Sequence, residues 1–127
     1  MSSVTGKAYP PVTNRIEADQ VRAFAIAIGA DPKAGVPPTF AAVYALFATA
    51  TALYGDPEAA VDFPHLLHSE QEFTWERHPE VGEEVVARGT VAEDVERRGL
   101  RFLTYDTEVT SGGRPLCTSR MVNVIRS

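Results

Sequence analysis

Thiols, indoles and cations are all scarce in this sequence. It has one cysteine, Cys117, and one tryptophan, Trp75, in 127 residues. A single cysteine excludes an internal disulfide and any metal site built from several thiolates. Cys117 stands between Leu116 and Thr118 in a stretch that reads as strand, so it is expected to be a small buried core residue. The 12 Lys and Arg are outnumbered by 17 Asp and Glu, for a net charge of −5. That balance argues against nucleic acid or an anionic membrane as the partner, because neutralising phosphates takes clustered basic side chains. The one basic cluster, Arg97, Arg98 and Arg101 around Gly99, reads as a solvated hairpin tip. Long apolar runs are also missing. The best, residues 40–54, is interrupted by Thr49 and Thr51, and is too short for a bilayer. Residues 1–7 lack the apolar stretch of a signal peptide, so a soluble, cytoplasmic protein is expected.

What remains is ordinary globular material, 44% hydrophobic and 23% charged. The length suits one domain over residues 1–127, able to bury a core without staples. Residues 1–6, small and polar, are expected to be disordered. Tyr9-Pro10-Pro11-Val12 is extended, since a residue before proline is pushed out of the helical region. A first helix is predicted over residues 18–28, with Val21, Phe24, Ala25 and Ile28 forming one apolar stripe. The run from Asp31 to Gly35 breaks the chain. A second helix is predicted over residues 39–54, capped by Thr39 and apolar nearly all round. A helix without a polar face must be wrapped, and Phe47, in its middle, is expected to face whatever wraps it.

From Leu66 the periodicity changes to two. Strands are predicted from there to Arg77, over residues 84–96 and 100–110, and from 116 to 125. Turns at residues 78–82, 97–99 and 111–114 separate them. Long antiparallel strands following one wholly apolar helix imply an α+β domain, its curved sheet wrapped around the helix.

Several stretches carry a resemblance across nearly the whole chain. Residues 16–29 resemble the opening helix of the MaoC-like dehydratases. Val36-Pro37-Pro38-Thr39-Phe40 is similar to their Ala-Pro-Pro-Thr-Phe start of the central helix. Leu67-His68-Ser69-Glu70-Gln71-Glu72-Phe73 is similar to their His-Gly-Glu-Gln-x-Phe strand, and Pro79-Glu80-Val81-Gly82-Glu83 to a Pro-Val-x-x-Gly-Asp turn. The ending, 107–110 through 118–120, also matches. The resemblance is to the N-terminal, FAS1-like dehydratase domain, the group that includes non-catalytic subunits of mycobacterial (3R)-hydroxyacyl dehydratases. It implies a single hot-dog domain, a role in fatty acid metabolism, and acyl-CoA or acyl carrier protein thioesters as ligands. It also implies a homodimer or a heterodimer with a catalytic hot-dog subunit. No cofactor, metal, nucleic acid or membrane is called for.

Catalytic relatives hydrate 2-enoyl thioesters, or dehydrate the (R)-3-hydroxy forms, with an Asp and a His on a Gly-Asp-x-Asn-Pro-x-His loop. Such chemistry needs a base within hydrogen-bond reach of the proton it moves. Here the corresponding loop reads Gly29-Ala30-Asp31-Pro32-Lys33-Ala34-Gly35-Val36 and is short. Asp31 is the candidate for the acid, and Ala34 occupies the histidine position. His68 is the candidate substitute base. Regular alternation would put Glu70 and Glu72 on its face, so that the three titrate together. Thr39, Phe40 and Tyr44 are the candidate substrate-binding residues. Three readings follow: a thioester-binding subunit without its own Asp/His pair; an (R)-specific hydratase or thioesterase using His68 with nearby carboxylates; and a non-enzymatic small-molecule-binding dimer.

Overall fold

The computed structural model describes residues 3–126. Five strands form one antiparallel sheet: β1 (Ala8–Arg15), β2 (Leu66–Trp75), β3 (Glu84–Arg97), β4 (Leu100–Ser111) and β5 (Arg114–Arg126), in the order β1-β3-β4-β5-β2. Helix α1 (Ala18–Ala27) follows β1. The central helix then enters through a 3₁₀ turn (Pro38–Phe40), continues as a π-helical segment (Ala42–Phe47) and ends as α2 (Ala48–Tyr54). The sheet wraps this helix as the sequence requires. Its buried side meets Val91, Leu103, Tyr105 and Met121 at one end, and Val85, Ala87, Val109 and Leu116 at the other. This is the hot-dog arrangement.

The π-helical turn overturns one expectation. Phe47 is 46% exposed, whereas its neighbour Leu46 is buried. Within a π segment the side chains advance by more residues per turn than 3.6. The buried line therefore runs Ala41–Leu46 and Ala45–Ala50, at intervals of five, and Phe47 is rotated off the sheet. Two smaller corrections belong here. Ile28 lies beyond the end of α1 and is 51% exposed, so the stripe stops at Ala25. Thr39 caps nothing: the residue before the first turn is Pro37, with no side-chain bond.

The N-terminus is also better held than its composition suggests. Met1 and Ser2 lie outside the described residues, but Val4 is buried and donates its N–H to Asp94 Oδ2 at 2.9 Å. The same carboxylate takes Nε and Nη2 of Arg101 at 2.8 and 3.1 Å, with both side chains only 5% exposed. Arg101 Nη1 donates onward to the Ala60 carbonyl. Arg101 is therefore an interior clamp joining the N-terminal arm, β3, β4 and the loop after α2. The solvated tip consists of Arg97 and Arg98 alone, with Arg98 (φ 53°) and Gly99 (φ 79°) turning the hairpin in the left-handed region.

Candidate functional site: a cleft beside the central helix

Where the π segment turns away from the sheet, α1 and the end of β1 leave a cleft of about 240 Å³. Its floor is Ile16, Phe40, Val43, Tyr44, Phe47 and Ala48; its rim is Asn14, Arg15 and Gln20. Phe40 is fixed edge-on against Phe24 of α1, with ring centroids 5.3 Å apart. The Tyr44 hydroxyl accepts from Trp75 Nε1 of β2 at 3.2 Å. Burial raises the Tyr44 pKa and pushes the Cys117 thiol beside it up to about 11, so both stay protonated at neutral pH. Of the lining residues only Arg15 and Tyr44 have ionisable side chains. The arrangement offers an apolar floor, one cation and two amides at the rim, and no group poised to move a proton at neutral pH.

The sequence-predicted residues divide sharply. Phe40 and Tyr44 come together in this cleft, while Thr39 is exposed and outside its lining. Asp31 is exposed in the loop after α1, where its Oδ1 accepts the Lys33 N–H at 2.9 Å, a turn-forming bond. Ala34 is exposed on the same loop. His68 is exposed at the start of β2, and no hydrogen bond or ion pair among the described residues connects it to Asp31. The pairing of β2 with β5 slips between His68 and Glu70, so Ser69 is a bulge. The bulge reverses the alternation and removes Glu70 and Glu72 from the face of His68. His68 Nε2 instead lies 3.0 Å from Gln71 Oε1. His65 pairs with Asp62 at 2.7 Å, and the His78 ring packs 5.1 Å from Trp75. Among the described residues no group of three metal-ligating side chains forms.

Sequence reasoning missed Arg15, Gln20 and Phe47 as parts of the cleft. The first two carry no local signal, since only the packing of β1 and α1 brings them together. Phe47 was legible as a large apolar residue, but its direction depends on the π turn.

Fold and cleft define a hot-dog domain of the dehydratase kind. The chain matches the FAS1-like dehydratase domain region over residues 3–119 and belongs to that family. It is 30% identical to a UPF0336 protein of Saccharopolyspora erythraea, across 98% of this chain and 90% of that one. In fold it is similar to a C-terminally truncated HadBC (3R-hydroxyacyl-ACP dehydratase) complex from Mycobacterium tuberculosis. There the TM-score is 0.77 and the identity 18%, covering 97% of this chain and 98% of that one. An (R)-hydratase from A. caviae involved in PHA biosynthesis superposes with a TM-score of 0.63 at 22% identity, covering 94% of each chain. No helix among the described residues is long and apolar enough to cross a membrane.

Proposed function

We propose that this chain is a thioester-binding hot-dog subunit that lacks its own Asp/His pair and works beside a catalytic hot-dog partner. The observation that carries this reading is the loop between α1 and the central helix. Asp31 is spent on its own turn, Ala34 presents a methyl group, and His68 sits elsewhere beside Gln71. Enoyl hydration needs a base and an acid converging on one substrate, and neither candidate converges with the other. The cleft supplies what a binding subunit needs: Phe40, Val43, Tyr44 and Phe47 for an acyl chain, and Arg15 with Gln20 for the polar end of a CoA or acyl carrier thioester. The family and the two-chain dehydratase among its structural relatives support a partner of the same fold.

Two measurements test this. The purified chain alone should show no measurable hydration of crotonyl-CoA. A robust rate that disappears in His68→Ala would instead establish the hydratase reading. Octanoyl-CoA should change the emission of Trp75, the single indole, which is bonded to Tyr44 at the cleft floor. Val43→Trp, filling the cleft, should weaken that binding at least about tenfold, which is about 1.4 kcal/mol, measured by isothermal titration because the new indole adds its own emission. Unchanged affinity would remove the cleft from the function.

A further inference from the structure

An antiparallel sheet of this kind has two edges, and they differ chemically. β1 carries Pro10 and Pro11 where its pairing to β3 slips, and neither has an amide N–H to donate. β2 has no proline from Leu66 to Trp75, and among the described residues no strand pairs with its outer side. On the face turned away from the helix, the register sets acids against bases. Arg88 of β3 lies opposite Glu108 of β4; Asp106 of β4 lies opposite Arg120 of β5, in a two-pronged bond of 2.8 Å each. Arg120 in turn lies opposite Glu72 of β2. The alternation therefore ends at the edge on an acid. Glu70, the next residue on that face, lies opposite Val122. Neither Glu70 nor Glu72 makes an ion pair within 4.0 Å among the described residues.

We infer that Glu70 and Glu72 make β2 an electrostatic selector, which rejects a second copy of this chain and accepts a hot-dog subunit whose edge strand presents Lys or Arg opposite them. In a two-fold antiparallel pairing, residues directly opposite share a face. Centred on Gln71, the pairing sets Glu70 of each copy against Glu72 of the other. Centred on Glu70 or on Glu72, it sets that glutamate against itself. Centred on Phe73 or on Thr74, it brings Glu70 or Glu72 toward Glu76, the residue just past the end of β2. Each of these registers stacks carboxylates, and like charges directly opposite are destabilising. A basic edge strand would instead continue the alternation that already runs from β3 to β2. The identity of the partner as a second hot-dog chain rests on the subunit reading above; the charge rule rests on the register alone.

The test needs only this chain and its own variants. Wild type, Glu70→Lys/Glu72→Lys and an equimolar mixture of the two are compared by native mass spectrometry and sedimentation, with circular dichroism confirming that the exposed substitutions leave the fold intact. The mixed dimer should form at least about tenfold more tightly than either chain self-associates, at about 50 mM salt. The difference should shrink toward about 1 M salt, where the Debye length falls to about 3 Å. Glu70→Gln/Glu72→Gln should self-associate more tightly than wild type. A wild-type homodimer as tight as the mixed one, and unmoved by the glutamine variant, would overturn the charge rule while leaving the subunit reading to the crotonyl-CoA assay. A mixture that does not associate would overturn β2 as the pairing edge.

Discussion

Tyr105 lies across Gly89 so closely that a Cβ on residue 89 would stand 1.7 Å from the tyrosine hydroxyl. That hydroxyl donates to Thr49 Oγ1 at 2.7 Å, tying the fully buried centre of β4 to the central helix. Glycine is required here for space. Gly89→Ala should therefore lose about 2–4 kcal/mol, from overpacking together with disruption of a buried hydrogen bond. Tyr105→Leu removes both the colliding hydroxyl and the ring carbon that carries it, leaving only Thr49 Oγ1 close by, so the double variant should be less destabilised than the sum of the two single changes. Urea unfolding of the four proteins measures this coupling, and simple additivity would show that the contact is not what makes alanine intolerable.

The buried Asp94–Arg101 pair yields a sharp contrast within one hairpin. Arg101→Leu leaves a carboxylate interred without its partner and should cost about 3–5 kcal/mol. Arg98→Ala, at the exposed tip of the same hairpin, should stay within about 0.5 kcal/mol of wild type. Thermal melts with equal losses at both positions would contradict the interior placement of Arg101.

The rotation of the central helix is tested by two adjacent residues. Leu46→Ala should cost about 2–5 kcal/mol through lost transfer energy and a cavity. Phe47→Ala, despite removing the larger side chain, should cost under about 1 kcal/mol, because that ring is half in solvent. The reverse order in chemical denaturation would mean that the helix is regular and that Phe47 faces the sheet.

Acid should destabilise the fold through identified carboxylates. Arg77 holds Glu83 down to about 2 from an ordinary 4.5, with Ser111 and the Glu80 N–H assisting. Lys7 and then Tyr9 hold Asp56 down to about 2 from 3.8. Burial opposes the charge of Asp94, but Arg101 and the Val4 N–H outweigh it, and its pKa falls below 3.8. A depressed folded-state pKa means that the unfolded chain binds protons first. The stabilisation is thus complete above the unfolded values and is lost as pH falls through the folded ones. The melting temperature should decline from about pH 5 to about pH 2. The decline should be shallower in Glu83→Gln/Asp56→Asn, in which two of the three groups no longer titrate. An unchanged slope would assign acid lability elsewhere.

The sequence by itself determined most of the architecture, because periodicity is a local property. The shift from a 3.6-residue stripe at Val21 and Ala25 to strict alternation after Leu66 separated helix from strand. An apolar helix with no polar face demanded a wrapping sheet. Three decisions were left to tertiary structure, and two of them involve a break in regular geometry that composition does not mark. A one-residue bulge at Ser69, set by pairing with β5, took Glu70 and Glu72 off the face of His68 and moved them to the convex side. A π turn rotated Phe47 out of the core and opened the cleft beside it. Burial drew Arg101 inward to Asp94, because a second element brought a carboxylate within 2.8 Å. Alternation and helical period assume an uninterrupted register, and only long-range pairing decides where that register slips.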